Sequence, residues 1–137
     1  MEHSSFHPPI SHFFFEDKDK IYKYHGYCHY KMKVRGNSFV QMALGQKVLT
    51  FKDGDKYEWN YPENLVSGLI FGKRLLHVIG NILIKNLNNN IECLIEIYEG
   101  SGWFSSDVHL LDHVEGVIRN INDHEEVFAR VEGSYMK

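Results

Sequence analysis

Polar and apolar residues alternate along most of this chain, and the dominant period is two. Over 27–35, Cys28, Tyr30, Met32 and Val34 alternate with His29, Lys31, Lys33 and Arg35. That pattern predicts a half-buried strand with a basic outer face. Gly36-Asn37-Ser38 reads as a turn, and a second strand follows over 39–44, with Gly45 as a break or bulge. Strands over 47–51 and 56–61 flank Asp53-Gly54, a strong hairpin signal. In the second of these, Tyr57, Trp59 and Tyr61 share one face, and Pro62 ends the strand.

The run 65–71 is almost continuously apolar around Gly68, which predicts a strand covered on both faces. Strands over 75–79 and 81–85 follow around Gly80, then a polar turn over 86–90. Ile91, Cys93, Ile95 and Ile97 alternate with polar neighbours. Gly100-Ser101-Gly102 breaks the pattern before Trp103-Phe104, and the last strands span 114–119 and 127–135. About nine short strands at this spacing predict an all-β antiparallel meander. A sheet of that length curls into a barrel or sandwich, or leaves edges for another segment to cover. No stretch carries a sustained helical stripe, and 110–114 has room for one turn only.

A length of 137 residues, 43% hydrophobic and 24% charged, fits one globular domain. The 14% aromatic share comes mostly from Phe and Tyr, which favour strands. A formal net charge of −3 argues against a broad nucleic-acid footprint. Cys28 and Cys93 both sit in alternating patterns and read as buried free thiols. The N-terminus has neither the basic nor the apolar region of a secretory signal, and no apolar run is long enough for a membrane-spanning helix. The chain reads as cytosolic.

Catalytic and metal chemistry find little purchase. His109 and His113 have a spacing that would share a helix face, but the surroundings read as strand and loop, without a third ligand. His3, His7 and His12 cluster without a fixed period. Ser67-Gly68 lacks the surroundings of a nucleophile elbow, and no phosphate loop, dinucleotide fingerprint or CxxC pair occurs. The chain reads as a non-enzyme without cofactor or metal. Tyr57, Trp59 and Tyr61 read as core or cavity wall, because no basic stripe accompanies them on their strand. Lys31, Lys33 and Arg35 form a solvated face suited to anionic lipid.

The opening segment Ser4–Ser11, "SSFHPPIS", places two prolines directly after His7. Proline fixes its own φ and pushes the preceding residue toward an extended conformation. His7 is therefore expected to be extended, and Pro8-Pro9 to stay out of helix interiors and central ladders. Glu2 followed by this segment and by Gly36-Asn37-Ser38 resembles the oxysterol-binding protein family, whose fingerprint is E-Q-V-S-H-H-P-P-[IV]-S with a later G-N-S turn. "YEWNYP" (57–62), "GLIFGK" (68–73), "GWFS" (102–105), "VEGVI" (114–118) and "ARVEGSY" (129–135) fit in the same order.

The resemblance implies a central segment, 1–137, of that family's ligand-binding domain, with the lid and C-terminal parts absent. It implies part of an incomplete β-barrel with a hydrophobic tunnel for a sterol or phospholipid, in some members exchanged for phosphatidylinositol 4-phosphate. Lipid transfer or sensing at cytosolic membrane faces and contact sites follows. His7 takes the role of a headgroup-phosphate contact, supported by Pro8 and Pro9. Phe6 stands where the family has a second histidine, and it offers neither a donor nor a charge. A different reading makes the chain a β-rich interaction module, or a member without transfer activity, that self-associates through open strand edges.

Overall fold

The structure, a computed structural model, describes residues 2–98 and 113–134. Eleven antiparallel strands among these residues form one sheet that curls into a partial barrel. A hairpin of β1 (Glu2–Phe6) and β2 (Pro9–Glu16) comes first, then the long β3 (Tyr22–Arg35). Next are β4 (Ser38–Leu44), β5 (Lys47–Phe51), β6 (Lys56–Trp59) and β7 (Glu63–Ser67). A second long strand, β8 (Leu75–Asn86), is followed by β9 (Ile91–Ile97), β10 (His113–Asn120) and β11 (Val127–Ser134). The all-β expectation holds. Trp103-Phe104, Gly100-Ser101-Gly102, His109 and most of 110–114 lie outside the described residues.

Several boundaries differ from the sequence reading, each for a physical reason. The opening segment, to which the sequence reading assigned no strand, is a strand pair: His7 and Pro8 are its turn, joined by a cis peptide, and Pro9 opens β2 opposite Phe6. Pro9 sits at the first position of its strand, where a missing amide is tolerated. The expected extended His7 is thus a turn residue. The apolar run 65–71 is a strand only to Ser67, because Gly68 takes a φ of +73° and turns the chain away. Ile70 and Phe71 are exposed rather than covered. The two strands expected around Gly80 are one, bent at that residue.

The sheet forks between its two long strands. From β3 one path runs through β4 and β7 to β8, and a second runs through β5 and β6 to β8. β4 and β5 pair with β3 in one continuous register, from Arg35 opposite Ser38 to Tyr22 opposite Phe51. They are separated by Gly45, whose φ of +124° is left-handed and whose added Cβ would run into the Tyr27 carbonyl oxygen. On β8 the switch of partner falls at Gly80, at a φ of +88°: Leu75–Ile79 pairs with β7, and Ile84–Asn86 pairs with β6. The interval between them has no strand neighbour on that side.

Asn60, in the link from β6 to β7, fills the interval. Its Oδ1 accepts from the Leu83 amide at 2.7 Å, and its Nδ2 donates to the Asn81 carbonyl at 2.8 Å. One side chain thereby imitates two rungs of a ladder. On the other arm Lys47 is completely buried and donates to the carbonyls of Ala43 (3.1 Å) and Gly45 (2.9 Å). Its ammonium also lies 4.1 Å from the centre of the Tyr61 ring.

The packed core is thin. Buried apolar side chains are Cys28, Val40, Val48, Ile79 and Ile97, while many large apolar residues are exposed. β3 shows why: its register with β2 ends at Ile10 opposite His29, so the strand runs six residues further with β4 as its partner. There Met32 is 65% and Val34 71% exposed, so the expected half-buried alternation gives way to a strand open on both faces. Lys31, Lys33 and Arg35 are exposed as expected. Neither thiol is in a disulfide: Cys28 is buried and Cys93 half-buried, with burial raising the Cys93 pKa.

Asn60→Ala removes both substitute rungs. Because Asn60 is exposed and water can take part of its place, the expected loss is about 1–2 kcal/mol, read by urea unfolding. Amide exchange at Leu83 should accelerate relative to Leu94 in the neighbouring strand, and unchanged protection of Leu83 would refute the role.

Candidate functional site

The lower arm of the fork carries a groove of about 610 Å³. Strand alternation supplies its wall: Leu49 and Phe51 from β5 and Tyr57 and Trp59 from β6 point to one face, joined by Ile82 and Ile84 from β8. Asn60, Tyr61 and Pro62 close one end as the chain crosses from β6 to β7. The volume suits a small amphiphile, since ligand sites commonly span about 300–1,000 Å³. Tyr57, Trp59 and Tyr61 are therefore cavity wall, as the sequence reading held, although β6 itself ends at Trp59.

An aromatic stack backs this wall. Tyr24, opposite Leu49 on β3, lies parallel to Trp59 with centroids 5.3 Å apart and an interplanar angle of 3°. Phe13 and Phe15 on β2 extend the cluster, at 4.9 Å and 6.2 Å from Tyr24. The Tyr24 and Tyr61 hydroxyls share a hydrogen bond of 2.9 Å. Rings on β2, β3 and β6 thus meet on one face, joined by Tyr61 just past β6, which gives the wall rigidity beyond simple area burial. Along β3 the same face continues through Cys28 to Tyr30, Met32 and Val34, so an apolar track leads from the groove toward the far end of the strand.

Electrostatically the wall is uncharged apart from Lys47 behind Tyr61. Burial pushes the Lys47 ammonium below the ordinary lysine range, with the nearby Cys28 acting in the opposite direction. Burial and the Tyr61 hydrogen bond hold the Tyr24 phenol above the ordinary tyrosine range. Tyr30 is raised by the same cause, burial first and the Cys28 contact after it.

The other residues singled out in the sequence lie elsewhere. His7 is exposed in the β1–β2 turn, and from Pro9, where β2 opens, six residues of strand lead to Phe15, roughly 20 Å. Pro8 and Pro9 are exposed beside it. Phe6 ends β1, opposite Pro9. Lys31, Lys33 and Arg35 lie past the same end of the sheet. His12 is exposed, its ring 5.9 Å from Tyr27. His113 is on β10, 3.3 Å from Glu115, so it is a strand residue and not half of a helical pair. Among the described residues no three His, Cys, Asp or Glu side chains are placed to hold a metal. No helix of the described residues is long and apolar enough to cross a membrane.

Sequence reasoning missed Tyr24, Phe13 and Phe15 as wall residues, and Lys47 and Asn60 as the groove's support. The alternation of Phe13 and Phe15 was a usable signal. Nothing local marks a lysine or asparagine that bridges strands distant in sequence.

The comparisons with known proteins agree with this geometry. The profile of the oxysterol-binding protein family matches residues 1–137. Oxysterol-binding protein 9 of Dictyostelium discoideum is 26% identical over 98% of this chain and 36% of its own length. The crystal structure of the Osh1 ORD domain in complex with ergosterol superposes with a TM-score of 0.70 at 28% identity, over 88% of this chain and 28% of that one. The Osh3 ORD of Saccharomyces cerevisiae, solved with PI(4)P, gives 0.79 at 20% identity, over 99% of this chain and 35% of that one; it speaks for the fold. The chain spans about a third of the length of these relatives.

A phenol kept protonated by folding contributes stability in full below the ordinary tyrosine pKa of about 10. That contribution is lost as pH rises through the higher folded value. Stability should therefore fall above about pH 10, and Tyr24→Phe, which keeps the ring stack, should fall less. Urea midpoints of both proteins from neutral to strongly alkaline pH decide it: parallel losses would contradict a Tyr24 hydroxyl held protonated by the fold.

Proposed function

The chain belongs to the oxysterol-binding protein family, and on that premise we propose that it binds a lipid, sterol or phospholipid, in transfer or sensing at cytosolic membrane faces. The observation that carries this is the aromatic-walled groove on a family sheet with few buried apolar residues. A wall of mostly half-buried Leu, Ile and aromatic side chains gains about 0.8 kcal/mol for each ligand CH₂ it withdraws from water. The domain assignment, a central segment of the ligand-binding domain over 1–137, rests on the same premise. So does the reading as a non-enzyme without cofactor.

His7 is the headgroup contact in this reading. It is exposed in a turn stiffened by Pro8 and Pro9, at the end of β2 opposite the aromatic stack. A ligand with a phosphate near His7 and its tail toward Trp59 matches that polarity. The Osh1 domain binds ergosterol, which makes sterol the first ligand to try. Phosphatidylinositol 4-phosphate needs more from the headgroup end, where Phe6 supplies no charge.

Two free edges favour a second reading. Among the described residues β1 and β11 each pair with one strand, and β11 exposes Phe128 and Val131. Such edges recruit further strands, so the chain self-associates or accepts a partner strand. Light scattering separates the two: a monomer that takes up fluorescent sterol supports lipid binding, and a dimer indifferent to sterol supports edge pairing.

Phe6→His restores a charge-assisted contact worth about 1.5–3 kcal/mol. Extraction of phosphatidylinositol 4-phosphate from liposomes should strengthen by about tenfold or more. No change would place the headgroup site elsewhere.

A further inference from the structure

All 18 Asp and Glu residues lie outside two stretches, 21–52 and 64–91, which hold nine of the 15 Lys and Arg. Those stretches form β3, β4, β5 and β8, and β7 apart from its first residue, Glu63. At one end of the sheet they meet in a single tip: the β3–β4 turn at Gly36-Asn37 and the β7–β8 loop over 68–74. Asn37 locks the two together, its Oδ1 accepting from the amides of Ile70 (2.7 Å) and Phe71 (3.2 Å) and its Nδ2 donating to the Phe71 carbonyl (2.7 Å). The Leu69 amide adds a bond to the Asn37 carbonyl at 3.1 Å. The loop is thus held by its backbone while presenting its side chains. Ile70 is 79% exposed, beside the exposed Phe71 and Leu76. Lys33, Arg35, Lys73 and Arg74 are exposed around them.

We propose that this tip is a membrane-docking wedge, in which Ile70 and Phe71 enter the acyl boundary of a bilayer while the surrounding cations engage anionic phospholipid headgroups. Charge complementarity selects the partner. A pair of apolar side chains on a braced loop, ringed by cations and with no carboxylate in the two stretches that form it, matches the layered chemistry of an anionic leaflet: apolar depth beneath a negative surface. An apolar loop without cations would fit a protein pocket as well, and cations without the apolar pair would fit any polyanion. Register also favours docking, because the tip runs six residues of β3 beyond the His7 end of β2. A surface met by the tip therefore lies past the headgroup end of the proposed lipid path. The wedge does not depend on lipid uptake.

The test is flotation of the whole chain with vesicles of phosphatidylcholine alone and of equal parts phosphatidylcholine and phosphatidylserine. The chain should float with the mixed vesicles and far less with the neutral ones. Ile70→Ser with Phe71→Ser should weaken mixed-vesicle binding at least about tenfold, and Lys33→Gln or Arg35→Gln about fivefold each. Brominated acyl chains should quench the fluorescence that Ile70→Trp adds over the wild type. Undiminished binding of the serine variant, equal binding to both vesicles, or absence of bromine quenching would overturn the wedge. So would capture by polyglutamate with no vesicle binding, which would make the tip a protein-binding surface. Circular dichroism checks that these exposed-site variants fold. Sterol uptake from cyclodextrin, measured without membranes, should be unaffected in the Ile70→Ser, Phe71→Ser variant. Failed uptake with intact vesicle binding would remove the lipid-carrying reading and leave the wedge standing, and the reverse result would do the opposite.

Discussion

A sheet that splits around a gap must supply hydrogen bonds where strands do not meet, and in this fold that constraint falls on Asn60 and Lys47. The Asn60 amide takes over an amide and a carbonyl of β8 where neither β7 nor β6 reaches. Lys47 closes the opposite arm by donating to two carbonyls around Gly45 and resting on Tyr61. A buried ammonium is costly unless its donors are used, and here the cost is offset by two charge-assisted bonds and a ring face. The groove depends on this closure. Tyr61 and Asn60 line it, and both are positioned by the same crossing of the chain between β6 and β7.

Rigidity in the wall replaces bulk in the core. With five apolar side chains buried among the described residues, the sheet cannot rely on a central cluster of aliphatic residues. The stack of Phe13, Phe15, Tyr24 and Trp59 ties β2, β3 and β6 laterally. Apolar surface beyond that stack is left facing outward, on the track from Tyr30 to Val34. Such surface is a liability for a free sheet and an asset for one that a lipid fills.

The strands were legible because one face of each is apolar, and a period of two survives even where burial is incomplete. Cys28 to Val34 alternated correctly although Met32 and Val34 are open to solvent, since alternation reports side-chain direction and not cover. β1 and β2 were missed because two prolines argue against a central ladder, whereas a strand pair accepts them at its turn and first position. The run 65–71 misled for a related reason: apolar content was equated with burial, and Gly68 was read as part of a strand that it ends. His7, Pro8 and Pro9 were visible as a motif. Lys47, Asn60 and Asn37 were not, because each joins backbone groups that only the folded register brings near.

The two ends of the molecule differ in chemistry, and that difference constrains any ligand. The β5–β6 end is aromatic and closed by Tyr61 and Pro62. The opposite end carries His7, then Lys33 and Arg35, and finally the braced loop with Ile70 and Phe71. An amphiphile lying along β3 with its apolar part at Trp59 has its polar part where the cations are. Reversal would place a headgroup against uncharged rings, with the desolvation of its charges left uncompensated. On the proposed lipid-binding reading, the polarity of the sheet sets the orientation of a ligand before any single contact is considered. In that same reading Phe6, which carries no charge, limits how much charge the polar end can hold, without deciding which end it is.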